Sequence, residues 1–441
     1  MAGRTCLISW WSAAFDDNAV AVGKLGRLIV TERPSMLAPF SVRGFRFQWP
    51  GDLATSWSFE METIILGWFV LVVTDSILLL TLFGALQYLG TLVAPMFGVA
   101  GDRHGARTVL CAMRAFYALQ AAALTAFAYF DALGPVQVFV IGSLMGVVRP
   151  SDIAIRYALV GETIPAGQMV GAMGISRTTS DSARVAGALA GAGLVATLGM
   201  AYAYMAVTAL YVVSFLLTLG TARRPADIDL LARATALRDM IDGLVYVRRT
   251  PHLYAAMMLA LLVNIFAFPL MAGVLPYVAR EVYGTDQTGL GYLAASFAFG
   301  ALVGSLLLAA RRRGIHAGRM MIGFAVFWFA MVLVFAWMDA FLVGMFVLML
   351  AGLCQTLSLV PLSVMLVQTS DPRMRARVLG VRMLAIYGMP MGLLASGPLI
   401  DGFGYAATAT GYGLIGLVAT VLIACRWYAH VWRPEAAANA G

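Results

Sequence analysis

Apolar runs of helix length, separated by short polar turns, cover nearly all of the chain between Leu53 and Tyr428. A helix needs about 20 such residues to cross a bilayer. Twelve runs can be cut, at 53–73, 77–99, 109–130, 135–158, 170–196, 200–220, 254–279, 288–310, 318–338, 340–367, 378–400 and 406–428. They are too long for barrel strands and do not alternate apolar with polar positions, which sets a transmembrane β-barrel aside. One stretch follows a different pattern. Between Leu230 and Val247, residues Leu237, Met240, Ile241, Leu244 and Val245 recur at helical spacing among charges, which predicts an amphipathic helix on a membrane surface. The pattern predicts an all-α polytopic protein with twelve transmembrane helices in two pseudo-symmetric six-helix halves. Residues 1–43 are expected to be a disordered cytoplasmic arm, 44–220 the first half, 221–252 the linker, 253–430 the second half and 431–441 a cytoplasmic tail. The halves repeat a plan: a basic loop after the second run, a proline inside the fourth (Pro150 and Pro361) and a Gly-rich fifth. Parallel halves with a site between them suit a secondary transporter.

Composition strengthens this picture. Hydrophobic residues make up 61% of the 441 and charged residues 12%, and the mean hydropathy is +0.85. A soluble protein carries about 25% charge to cover its surface, so the solvent for most of this chain is lipid. The net charge of +8 could suggest nucleic acid, but the Lys and Arg form no single stripe. They fall in alternate loops. Of the bases outside those loops, Arg280 stands on the opposite side, and Arg149 and Arg184 lie within spans. The opposite loops are marked by Asp75, Asp131, Glu281, Asp286, Asp339 and Asp401. The positive-inside rule then predicts two cytoplasmic termini in a bacterial-type inner (plasma) membrane. Residues Met1 to Ser35 lack the apolar core of a signal peptide, and Met36 is an alternative start. Cys6, Cys111, Cys354 and Cys425 are far apart, and His104, His252, His316 and His430 all fall at predicted helix ends. No metal spacing, cofactor loop, Walker motif or nucleophile–His pairing is visible, so the expectation is no metal, no cofactor and no enzyme.

The loop between the second and third spans reads Gly98-Val99-Ala100-Gly101-Asp102-Arg103-His104-Gly105-Ala106-Arg107. It resembles the signature of that loop in the Major Facilitator Superfamily, with Ala106 where a basic residue is usual. Gly98 and Gly101 suit close helix approach, Gly105 a tight turn, and Asp102 a charge-assisted bond across the halves. Gly98, Gly101, Asp102, Arg103, Gly105 and Arg107 are the expected gate. Further stretches are similar to the drug-, macrolide- and enterobactin-exporter branch. These are Gly44-Phe45-Arg46 with Trp49, Gly51, Trp68 and Thr74-Asp75-Ser76, then Pro276, Gly289 and Gly300 to Gly304, and Arg375-Ala376-Arg377-Val378. Arg184 to Gly191 resembles the fifth-span antiporter motif, with Ala188 where Gly-Pro is usual. The resemblance implies alternating access, with spans one and four lining a central cavity.

Charges inside spans are costly, about 2.5–3.5 kcal/mol each on insertion scales, and mark functional sites by default. The first half holds Glu60, Glu62, Arg149, Asp152, Asp181 and Arg184; the second has none at comparable depth. Arg149 shares a helix face with Asp152, and Asp181 with Arg184. Glu60 and Glu62 point ~200° apart, so one of the two is expected to meet Arg149. The alternative for each pair is a static salt bridge between helices. Asp52, after Pro50-Gly51, reads as a helix N-cap. For the second half, the candidate cavity wall is Asn264, Phe266, Phe268, Gln355 and Ser358. The function expected is proton-coupled export of amphipathic small molecules by a monomer whose partners are substrate, protons and lipid, with no nucleic acid. The alternatives are an importer or facilitator of a polar or anionic nutrient, and a membrane scaffold or sensor.

Overall fold

The computed structural model describes residues 37–91, 93–221, 236–310, 316–371 and 373–428. Nearly all of the expected N-terminal arm, part of the linker and the tail lie outside these residues. Every regular element among the described residues is helical. Ten helices are long and apolar enough to cross a membrane. The longest, Met169–Leu219, turns at Gly199 and contains spans five and six. A second span, broken into Ile77–Leu86 and Ala94–His104, completes the twelve. The remaining spans are Arg43–Thr74, Ala106–Tyr129, Pro135–Thr163, a seventh running from Pro251–Phe266 to Val282, Gln287–Ala310, Ala317–Phe335, Phe341–Gln368, an eleventh from Arg375 to Phe403, and Tyr405–Arg426.

Two turns show the repeat in backbone terms. Gly199 ends span five at φ 81°, and Gly404 ends span eleven at φ 81°. A left-handed conformation favours glycine at both, and the two positions correspond in the two halves. Pro150 and Pro361 both lie inside their helices, each the fourth of its half.

Several boundaries differ from those expected. The first helix begins at Arg43, not near Leu53, because Pro50 is accommodated inside it. Membrane helices tolerate such a proline when neighbours satisfy the freed backbone. Asp52 is therefore inside the helix and is not an N-cap. The second span breaks between Leu86 and Ala94, where it meets span four backbone to backbone. A Cβ on Gly90 would stand 2.0 Å from the Val147 carbonyl oxygen, and one on Gly146 2.2 Å from that of Leu86. The amphipathic helix runs over Ala236–Arg249. It docks on the second half through Asp242, whose Oδ2 is 3.6 Å from Arg377 Nη1, and leaves Ile241, Leu244 and Val245 exposed.

The first half is fastened by charges. Asp52 pairs with Arg114 from span three, and Arg156 from span four reaches the same carboxylate at 3.7 Å. Arg156 also pairs with Asp152, one turn earlier on its own helix. Arg156 Nη1 donates to Ser56 Oγ at 2.9 Å and to the Asp52 carbonyl at 3.2 Å, and Arg114 donates to Thr218 of span six. Two acids and two bases cancel inside the bundle. Gly51 makes room, since a Cβ there would lie 2.7 Å from Arg114 Nη1.

The second half is fastened by small residues instead. A Cβ on Gly300 would stand 1.8 Å from the Met349 carbonyl oxygen, and one on Gly352 1.9 Å from that of Phe297, so spans eight and ten touch through their backbones. The halves meet closely at the end away from the Arg-rich loops. Gly84 and Gly273 both pack on Leu393, Gly397 on Thr81, and Gly291 on Ala192. At that end Arg280 of span seven binds Asp75 at 2.8 Å and the Leu71 carbonyl at 3.2 Å.

Two outcomes follow for stability. Gly352→Val should lower the thermal unfolding midpoint of purified protein, costing about 1–3 kcal/mol by overpacking, whereas Gly98→Ala, which meets nothing within 4 Å, should leave it unchanged. Asp52→Ala strands Arg114 and should cost about 3–5 kcal/mol. Replacing Asp52, Arg114, Arg156 and Asp152 together with apolar residues of similar volume should cost less than that single change, as read from the same melting curves.

Candidate functional site

The six charged candidates separate into distinct settings. Glu62 is buried, 3% exposed, and accepts hydrogen bonds from Tyr211 at 3.0 Å and Tyr204 at 3.3 Å, both on span six. Among the described residues it has no ion pair within 4.0 Å. Arg149 is the cation in electrostatic reach of it. Arg149 itself docks on span one by other means. It donates to Thr63 Oγ1 at 2.9 Å and to the Phe59 carbonyl at 3.1 Å, and reaches Gln87 of span two at 3.2 Å. Its guanidinium stands 4.6 Å from the centre of the Phe59 ring, a cation–π contact.

Glu60 turns the other way, as the ~200° separation requires, and lies 3.9 Å from Arg184 of span five. Both side chains are partly exposed. Tyr88, packed against the core of the second half, is in electrostatic reach of Glu60, Arg149 and Arg184. These three charges thus stand toward the interface between the halves, with two bases to one acid.

The pairings expected within helices take a different form. Asp152 goes to Arg156 rather than Arg149. Asp181 goes to Arg177 at 3.2 Å rather than to Arg184, and it also accepts a bond from Ser305 of span eight at 3.0 Å. Spacing by three or four residues allows either partner; contacts from neighbouring helices decide between them. Asp181 is thereby a tie between the halves.

Of the gate motif, Gly105 makes the turn at φ 82° and Gly101 packs on Ile155. Arg107 donates to the Leu219 carbonyl at 2.6 Å, capping the last turn of span six within its own half. Arg103 is exposed. The side chain of Asp102 lies outside what is described. In the second half, Asn264 bonds to its own helix at Ala260. Phe266 stacks edge-on against Tyr412, and Phe268 against Trp328. Gln355 is buried, and Ser358 donates to the Met321 carbonyl of span nine. Phe268 and Ser358 hence tie span nine to its neighbours.

Sequence reasoning missed Tyr117, Tyr204 and Tyr211 and the buried roles of Asp52, Arg114 and Arg156. A signal existed for two of the tyrosines. Residues 204 and 211 are seven apart and share one face of a helix. Arg114 stands nine residues after Gly105, too far along the helix for a loop residue.

The family model described as transmembrane secretion effector matches residues 34–439. No curated protein matches the sequence. Solved structures with this fold include a POT family transporter in complex with 5-aminolevulinic acid, with a TM-score of 0.67 and 12% identity over 89% of this chain and 97% of that one. The nucleoside transporter NupG gives 0.64 and 14%, over 89% and 100%, and the D-xylose-proton symporter 0.64 and 13%, over 86% and 96%. At these identities the likeness is one of fold, and it extends over nearly the full length of each. The chain belongs to the transmembrane secretion effector family of major facilitator transporters.

Proposed function

We propose that this protein is a proton-coupled exporter of amphipathic small molecules, working by alternating access as a monomer in a bacterial-type inner membrane with both termini in the cytoplasm. The observation that carries the reading is Glu62: a carboxyl group buried inside a span, held by two phenols and given no ion partner within 4.0 Å among the described residues. Membrane proteins keep such groups for function. Taking up or losing one proton there changes the charge of the first half by one unit. Arg149, in reach but docked on Phe59 and Thr63, is the group that answers the change. Its two positions would bias the two arrangements of the halves, which is all that coupling requires. Outward direction is favoured by the family's description as a secretion effector. The cavity in this reading is bordered by Glu60, Arg149 and Arg184 on one side and by Asn264, Phe266 and Gln355 on the other. The Gly98 to Arg107 loop and the Asp181–Ser305 contact act as the gate at the basic end.

A second reading is favoured by one specific feature. Arg149 has no acid within 4.0 Å among the described residues, which suits an importer or facilitator that anchors an anionic nutrient there.

Proteoliposomes of defined orientation, offered a panel of amphipathic dyes and antibiotics, test both. Wild-type protein should move substrate outward only under a proton gradient. Glu62→Gln should abolish the gradient dependence while Glu60→Gln retains it. Flux that ignores the gradient in all three proteins would sink the proton-coupled reading. For the nutrient reading, Arg149→Ala should weaken binding of an anionic substrate by about 10-fold or more, in line with the loss of one charge-assisted hydrogen bond; unchanged affinity removes it.

A further inference from the structure

We propose that Tyr211 and Tyr117 form a proton relay joining Glu62 to the crevice at Asp52 and Arg156, so that protons reach the carrier through the body of the first half and not across the interface between the halves. The proposal rests on the reading of Glu62 as the carrier and supplies the route that serves it.

At 3% exposure Glu62 cannot exchange protons with bulk water directly. Tyr211 donates to its Oε2. The ring of Tyr211 lies 5.7 Å from that of Tyr117 of span three, and both border Phe59, at 5.9 and 5.1 Å. Tyr117 is wholly buried, and its hydroxyl has no hydrogen-bond partner among the described residues. A buried hydroxyl left unmatched costs about 1–3 kcal/mol, so a plain apolar phenylalanine would serve packing better. What surrounds that hydroxyl explains its retention. Asp152 and Arg156 of span four are in electrostatic reach of it, as are Arg149 of the same span and Arg114 of its own helix. Asp152 Oδ1 and Arg156 Nη2 are also buried without a hydrogen-bond partner. Unmatched donors and acceptors gathered in one polar place suit bridging water, which usually needs two to four such partners. Beyond them, Arg156 and Asp52 line a crevice with Trp49, Tyr157, Ser176 and Thr179. The hydrogen bond to Tyr211, the neighbouring ring of Tyr117 and the unmatched groups of Asp152 and Arg156 mark the succession from Glu62 to that crevice, and in the proposal water bridges the polar atoms along it.

The transfer balances at each hydroxyl. A proton arriving through water at the Tyr117 oxygen displaces the proton already there. That proton passes through the next water to Tyr211, and the Tyr211 proton moves to Glu62 Oε2. Each tyrosine gains one proton and gives one. Release runs in reverse. Phe59 borders both tyrosine rings, and Arg149 stacks on the same ring 4.6 Å from its centre.

Time-resolved infrared spectroscopy after a downward pH jump, on the full chain in lipid nanodiscs, tests this without a known substrate. The carbonyl band of protonated Glu62 is assigned by its loss in Glu62→Gln. Tyr117→Phe should slow the rise of that band by about 10-fold or more, the smaller end of what a positioned proton-transfer group contributes, and leave its final amplitude unchanged. Tyr211→Phe should slow it as well, and it carries the test if Tyr117→Phe folds poorly. Tyr204→Phe removes a hydrogen bond to the same carboxyl but no step of the route. It should shift the band's position without slowing its rise. A wild-type rate in the Tyr117 and Tyr211 variants, or equal slowing in Tyr204→Phe, overturns the relay alone. If Glu62→Gln removes no band, the carrier reading falls and the relay with it.

Discussion

A charge placed inside a membrane-spanning bundle must find its opposite, since neither lipid nor a dry interior will solvate it. The first half is arranged around that demand. Asp52, Arg114, Arg156 and Asp152 come from three spans and neutralise one another near the basic end. Their directions fix how spans one, three and four cross, and Thr218 brings in span six. Gly51 is the space through which the Arg114 guanidinium reaches Asp52. With that quartet closed, the carboxyl left over is conspicuous. Glu62 is buried too, but among the described residues its hydrogen-bond partners are two phenols and it has no cation within 4.0 Å, which is the ground for proposing it as the group that changes charge. Arg149, by contrast, rests on an aromatic ring and neutral oxygens.

The second half solves a different problem. Its described buried side chains are mostly apolar and aromatic with a few neutral polar groups, and its helices approach through glycine, with spans eight and ten in backbone contact at Gly300 and Gly352. Close van der Waals packing replaces ionic fastening, as suits helices that have no hydrophobic drive to associate within lipid. Among the described residues, the buried acids and bases lie in the first half. Between them, Gly84, Gly291 and Gly397 let the halves close at the end away from the basic loops, and Arg280 pins that closure to Asp75 and Leu71.

How far the sequence could be read depended on the range of the interaction involved. Twelve spans, the linker helix and the repeat of proline and glycine were legible, because hydropathy and turn chemistry act over a few residues. Asp52 shows the limit. Pro50-Gly51-Asp52 has every local mark of a helix start, yet the helix runs through it, because an arginine 62 positions away supplies the partner that makes the site an interior one. Arg149 with Asp152, and Asp181 with Arg184, were plausible pairs by spacing. Arg156, Arg177 and Ser305 proved the nearer partners for the acids.

The sequence by itself determined that this chain lives in lipid, that it is built as two similar halves, and that the charges placed within apolar runs belong to the first of them. Those properties follow from counting apolar and ionisable residues along a line. Tertiary structure alone decided which charge cancels which, which carboxyl is left with phenols for company, and that Tyr117 packs beside the Tyr211 that donates to that carboxyl. Electrostatic partners in a bundle are chosen by the distance between helices that lie more than a hundred residues apart in the chain, as Asp52 and Arg156 do, and no local pattern records that distance.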